Sequence, residues 1–429
     1  MEKYVIELFD FIKACPSPYH AVEQIKYILN NFKYEELKES DEWTIKPNSK
    51  YYVIRDNASL ITFKTPKEFN YGFNIVCSHL DSPCFKLKPD FTMVEPNYKR
   101  LNVEGYGGML KNTWFDKPLG IAGRVMVRTN EGIVERLVNI SQHSLIIPSL
   151  APHLQKGGAV DINMQNDLLP IIGLKDTKKT LMDQLNKLVI FEETEEILSH
   201  DLFLYNKDEP TTVGLESEMI ASPKLDDLEC VFSSLEAYLE SNNNDNFNVC
   251  AIFDNEEVGS SSNHAAKSTF LTDTLERICE NLNLNKYQMY AKSMLVSADN
   301  AHAVHPAHSE KSDPTNKTYL NEGIVLKYHS GLAYTTEAIS ASIFKAILDN
   351  NNIPHQEYTN RSDMLGGSTL GHLQLEKLSI VSVDIGLAQL AMHSNYELAG
   401  AKDIYYMVKG LKSFYETNLK FDGKLIYLN

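Results

Sequence analysis

Three carboxylates fall within four positions, at Asp254, Glu256 and Glu257, directly after the apolar run Val249–Phe253. Charge at the end of a buried strand is costly unless something pairs with it. In open α/β sheets, ligands bind beyond the carboxyl ends of the strands. Successive residues leaving a strand point in different directions. Glu256 and Glu257 are therefore suited to two jobs, one holding a metal and the other moving a proton. An acidic, solvated loop is the plain alternative, because short acidic clusters are common on surfaces.

Four apolar runs end in residues of this kind. Phe73–Cys77 leads to His79 and Asp81, Val249–Phe253 to Glu256 and Glu257, Met294–Ser297 to Asp299, and Ser379–Val383 to a segment containing His393. Taken singly, a histidine beside a strand is more often a structural residue. Asp226 precedes a helical pattern of Val231, Phe232, Leu235 and Leu239. This places it at or just before a helix N-terminus, where the dipole favours a carboxylate; helix capping by Asp226 or Asp227 is the alternative. A doubly wound sheet would gather all these ends in one crevice. Two His, two Asp and one Glu form a mixed N/O donor set suited to Zn²⁺ or Mn²⁺ rather than to a thiolate site. The three acidic ligands and Glu256 carry four negative charges, which two divalent cations balance and one does not. There is no P-loop, no GxSxG elbow and no HExxH helix, so a Ser-His-Asp hydrolase would need unmarked residues.

The elements that must position these residues follow from patterning. The 429 residues allow two or three domains, and 43% hydrophobic residues can fill a substantial core. A net charge of −16 argues against nucleic-acid binding. Six scattered cysteines include no CxxC pair, as suits reduced thiols in a cytoplasmic protein. The first residues lack a signal-peptide pattern and no apolar run is long enough to cross a bilayer. Val5, Leu8, Phe9 and Ile12 give a first helix; Ser17 and Pro18 open a second, to about residue 31. Alternating runs at Ile121–Val127 and Ile133–Ile140 predict antiparallel strands, after a tight Gly105–Gly108 turn. Further helices are expected over about 262–283, 336–348 and 400–417, and the small residues Gly366–Thr369 form a loop able to approach a ligand closely. The expected fold class is α/β: a doubly wound mixed-sheet catalytic domain of residues 1–90 plus 213–429, with an inserted, mainly β domain of residues 91–212.

Several motifs, in order over nearly the whole chain, resemble the M18 metallopeptidases, the aspartyl aminopeptidase family. They are Ala14–Val22, Ser78–Pro83, Thr113–Asp116, Lys224–Leu228, Phe253–Ser260, Ser297–Asp299, Ala301–Pro306 and Gln389–Ser394. The resemblance implies two zinc ions, with Mn²⁺ or Co²⁺ as other divalent occupants. His79 and Asp299 would hold one, Glu257 and His393 the other, and Asp226 would bridge them. Glu256 would be the general base and Asp81 would orient His79. Family members assemble as homo-dodecamers of dimers joined through the inserted domain, and His153 matches a histidine that reaches a neighbouring subunit's site. His302 matches a position near the peptide substrate. Lys327 and Tyr334 match the pocket that confers Asp/Glu preference. The chain departs from the family pattern in His329–Ala333, in the stretch from Leu365 to Thr369, at Leu387–Ala388, and at Asp227, where many members have Asn. The same chemistry with a neutral, Leu-like preference is therefore a close alternative, and a non-catalytic oligomeric scaffold a more distant one.

Overall fold

The computed structural model describes residues 2–155, 161–242, 245–364 and 366–428, apart from the side chain of His143. Leu365, one of the departures noted above, lies outside the described residues. The four apolar runs lie side by side as parallel strands, in the order Phe247–Phe253, Phe73–His79, Met294–Ala298 and Val381–Gly386. The first two are buried at every residue. Such continuous apolar runs are the mark of strands covered on both faces.

Alternation along these strands feeds two cores. Cys250, Ile252, Val76, Val296 and Ile385 pack with the helices Leu225–Glu240, Ala338–Asn350 and Asp403–Glu416 and with the two N-terminal helices. Val249, Ala251, Ile75, Cys77 and Leu295 pack with Phe270–Asn281 and Leu370–Leu375. The sheet is thus doubly wound. Antiparallel pairing of Ser59–Lys64 on one side and of Ile324–Tyr328 on the other makes it mixed, with nine strands among the described residues. The helix expected from about residue 262 starts at Phe270, because residues 260–268 are taken up by turns closed by the Lys267 N–H on the Ser260 carbonyl.

A second sheet lies between the first and second halves of this domain in sequence. Six antiparallel strands among the described residues run in the order Ile133–Leu145, Leu119–Arg128, Glu196–Asn206, Cys84–Val94, Tyr98–Tyr106 and Ile171–Leu174. It has its own apolar core of Phe85, Ile121, Val125 and Leu202, covered by Leu181 and Leu185 of the helix Leu181–Val189. The chain enters this sheet just after His79 and leaves it shortly before Asp226, so the sheet is rooted beside the ends of the central strands. Ile75 is wholly buried at the middle of the central sheet. Ile75→Ala should lower stability by about 2–5 kcal/mol, measured by urea unfolding monitored by circular dichroism.

Candidate active site

All four strand ends open into one cavity of about 480 Å³, lined by His79, Asp226, Glu256, Glu257, Asp299 and His393. The two imidazoles are oriented alike. His79 Nδ1 lies 3.1 Å from the Asp81 carbonyl oxygen, and His393 Nδ1 lies 3.0 Å from that of Gly108. A carbonyl only accepts, so each ring donates from Nδ1 and turns Nε2 toward the cavity. There the two oxygens of Asp226 face different rings: Oδ1 is 3.5 Å from His79 Nε2, and Oδ2 is 3.5 Å from His393 Nε2. Glu257 Oε1 is also 3.5 Å from His393 Nε2. Donor atoms of His79, Asp226, Asp227 and Asp299 lie within 4.8 Å of one another, as do those of Asp226, Glu257 and His393. These two groups meet at Asp226, and a third, of His79, Glu256 and Glu257, shares a residue with each of them.

Asp226 follows Lys224 and Leu225 at the entry to Leu225–Glu240, but its backbone is not helical (φ −82°, ψ 105°), nor is that of Asp227 (φ −123°, ψ 23°). The N-cap position is Lys224, with no side-chain cap hydrogen bond, which corrects the capping expectation; Asp226 does lie at the start of the helix, as expected. Asp226 turns into the cavity. Its amide N–H donates to Glu397 Oε2 at 3.0 Å, and the His393 N–H donates to Glu397 Oε1 at 2.7 Å. One buried carboxylate thereby ties together the backbones of two donor residues. Asp81 does the same for the acidic loop: its Oδ1 accepts the Glu256 N–H and its Oδ2 the Glu257 N–H, both at 3.0 Å. Its link to the His79 ring runs through the main-chain carbonyl, with carboxylate Oδ1 farther away at 3.5 Å. Gly107, in the left-handed region at φ +74°, brings the inserted sheet's backbone against Glu257; a Cβ there would lie 3.1 Å from Glu257 Cβ.

The electrostatics fit a cation. Asp226 Oδ1 and Asp227 Oδ1 are buried with no hydrogen-bond partner, a costly state for carboxylates. Burial pushes the Glu256 carboxyl up to about 8, with His79 opposing and Asp299, Asp81 and Asp226 reinforcing the shift. Burial opposes charge on His79, yet Asp227, Asp226 and Asp81 raise its pKa well above the ordinary value. Borderline N/O donors, two orphaned carboxylate oxygens and two Nε2 atoms aimed inward together suit zinc.

The other expected residues divide. Lys327, Tyr334 and His302 line the cavity, as do Gly367 and Ser368 of the small-residue loop. The buried Lys327 ammonium donates to the Asp299 carbonyl at 2.7 Å, the Asn300 carbonyl at 3.1 Å and Asp299 Oδ1 at 3.3 Å, and lies 5.2 Å from the Tyr334 ring centre. His153 sits exposed in the short turn Pro152–Leu154 and does not line this chain's cavity. Sequence reasoning passed over Glu397 and Tyr106, and treated Asp227 only as a cap or a departure. The sole sequence signal for Glu397 is a carboxylate four residues after His393.

A mixed α/β sheet whose strand ends bring imidazoles and carboxylates to one cleft is the architecture of a metal-dependent hydrolase. The family model described as aminopeptidase I zinc metalloprotease (M18) matches residues 11–415. A probable M18 family aminopeptidase 2 from Clostridium novyi is 42% identical over 427 residues, covering 96% of this chain and 98% of that protein. Ape4, solved in complex with Nbr1, superposes with a TM-score of 0.90 at 32% identity, covering 97% of this chain and 86% of that one. The mApe1 dodecamer from S. cerevisiae superposes with a TM-score of 0.83 at 25% identity, covering 96% of each chain. The chain belongs to the M18 family and is a zinc metalloaminopeptidase. Glu397→Leu should weaken zinc binding by about 10–100-fold, read by competition with a chromogenic chelator; unchanged affinity would show that Asp226 and His393 hold their places without it.

Proposed function

We propose that this aminopeptidase releases N-terminal residues, preferably Asp and Glu, through a two-zinc centre with Glu256 as general base. The observation that carries this reading is the meeting of two donor groups at Asp226, with the Glu256 carboxyl beside them in the cavity. His79 and Asp299 would hold one zinc, Glu257 and His393 the other, with Asp226 shared. Bound zinc supplies Lewis acidity for the scissile carbonyl and the attacking water. Glu256 accepts one proton from that water at a carboxylate oxygen as the water oxygen bonds to the carbonyl carbon. It then delivers the proton to the departing amine nitrogen as the C–N bond breaks, releasing an amino acid and a shortened peptide. The Asp81 carboxylate keeps the Glu256 backbone in place through both transfers.

The acidic preference rests on Lys327 and Tyr334 in the cavity wall, where the ammonium would attract a carboxylate. A neutral preference is the second reading. The observation favouring it is that Lys327 already donates to three oxygens of Asp299 and Asn300. The similarity to the mApe1 dodecamer supports a homo-oligomer for this chain. The exposed position of His153 on the inserted region is compatible with a role in a neighbouring subunit's site. The free cysteines suit a reducing, cytoplasmic compartment.

Initial rates on Asp- and Leu-p-nitroanilide, before and after chelation and zinc restoration, test the whole reading. Zinc-restored turnover favouring Asp is expected; turnover favouring Leu would discard the acidic pocket and keep the chemistry. Glu256→Gln should lower kcat by at least about 100-fold while zinc content stays at the wild-type level. Retained turnover in that variant would remove Glu256 from the base role.

A further inference from the structure

A line of hydrogen bonds leads away from the acidic loop toward the surface, and every member has a fixed sense. Tyr106, at the end of the inserted sheet's strand Tyr98–Tyr106, donates its hydroxyl to Asp81 Oδ2 at 2.8 Å. The same hydroxyl oxygen accepts from Asn255 Nδ2 at 2.9 Å. With its amide nitrogen committed to Tyr106, Asn255 must present Oδ1 on its other side, where His264 Nε2 lies 3.1 Å away. His264 therefore donates from Nε2. Its Nδ1 faces Asn263 Oδ1 at 3.1 Å and Asp56 Oδ2 at 3.3 Å. The Asn263 amide nitrogen itself donates to Asp56 Oδ2, so both oxygens near Nδ1 are acceptors. Both ring nitrogens of His264 donate, which makes it an imidazolium. Burial opposes that charge, but Asp254, whose Oδ2 lies 3.7 Å from Nε2, and Asp56 raise the pKa above the ordinary histidine value.

The line ends where the chemistry needs precision. Asp81 receives Tyr106 and the backbone N–H groups of both Glu256 and Glu257. Asn255, the residue that bends the chain into Glu256, sits in the left-handed region at φ 65°, and its conformation is locked from both ends of its side chain. We propose that His264, Asn255 and Tyr106 are positioning residues that act as one unit on Glu256 and Glu257, so that proton transfer by Glu256 depends on a histidine remote from the cavity and on a tyrosine of the inserted domain. This rests on the role proposed above for Glu256. Tyr106 is the member by which the inserted sheet holds the catalytic loop.

The test is a double-mutant cycle on the zinc-loaded, full-length protein with the better of Asp- and Leu-p-nitroanilide. Tyr106→Phe removes one oxygen and leaves the ring, 5.5 Å from that of Phe203, in place. His264→Leu removes the donor at the far end. Each single variant should lose about tenfold in kcat, with KM and zinc content within about twofold of wild type. The double variant should be no slower than the slower single, since a broken chain cannot be broken twice. His264→Gln, which keeps an N–H donor, should recover most of the loss. A double variant slower by the product of the two effects would overturn the proposal, as would wild-type rates in both singles or losses confined to KM or zinc content. A wild type inactive on every substrate after zinc restoration would overturn the proposed function instead. The same cycle read in melting temperature then decides the coupling: less-than-additive shifts support the unit and additive shifts refute it.

Discussion

The constraint on which the structure depends is the crowding of buried carboxylates around one cavity. Asp81, Asp226, Asp227 and Asp299 are each buried beside the partly buried Glu256 and Glu257. Like charges this close repel strongly at the low effective dielectric of a protein interior. Burial first, and the neighbouring carboxylates second, raise the Glu256 and Glu257 carboxyls; the same carboxylates raise the pKa of His79, although burial opposes that charge. A divalent cation held there offsets the same repulsion. The surrounding fold can be understood as whatever is required to keep these groups together until a cation arrives.

It does so mainly with backbone amides. The Asp81 carboxylate accepts two successive N–H groups, and the Glu397 carboxylate accepts N–H groups from residues far apart in sequence. Carboxylates held by N–H donors fix peptide planes, and peptide planes aim the side chains that follow. Lys327 gives the third support, spanning two carbonyls and the carboxylate of Asp299. Charged residues next to a metal centre are easily taken for substrate contacts; here several are braces first.

The residues that could be read from sequence were those whose signal is local. Runs such as Phe73–Cys77 and Val249–Phe253 announce strands buried on both faces, and the residues that end them announce the cleft. The alternation at Ile121–Val127 likewise marks the second sheet. Asp226 was legible as a participant at a helix start but not in its geometry, because its backbone is non-helical and its N–H is held by Glu397, far along the chain. Tyr106 and His264 carried no local mark, and Glu397 only its place four residues after His393. Each matters through a partner more than a hundred residues away or through a hydrogen-bond direction, and neither leaves a period in the sequence. Lys327 was found by its match to the family's pocket position, whereas its carbonyl partners carry no sequence signal.

The order of strands also bears on how the chain is made. Phe73–His79 sits at the centre of the main sheet, yet both of its neighbours, Phe247–Phe253 and Met294–Ala298, follow the second sheet in sequence. During synthesis this strand waits, apolar and unpaired, while the six strands from Cys84 to Asn206 close on one another with their own core. Pairing across so long a separation is slow, and exposed strands in that interval are prone to aggregate. The donors run from His79 to His393, so no nascent fragment short of His393 assembles the full set. The group of His79, Asp226, Asp227 and Asp299 is complete in sequence before His393 is made, so the two donor groups come together one after the other, the one that needs His393 last.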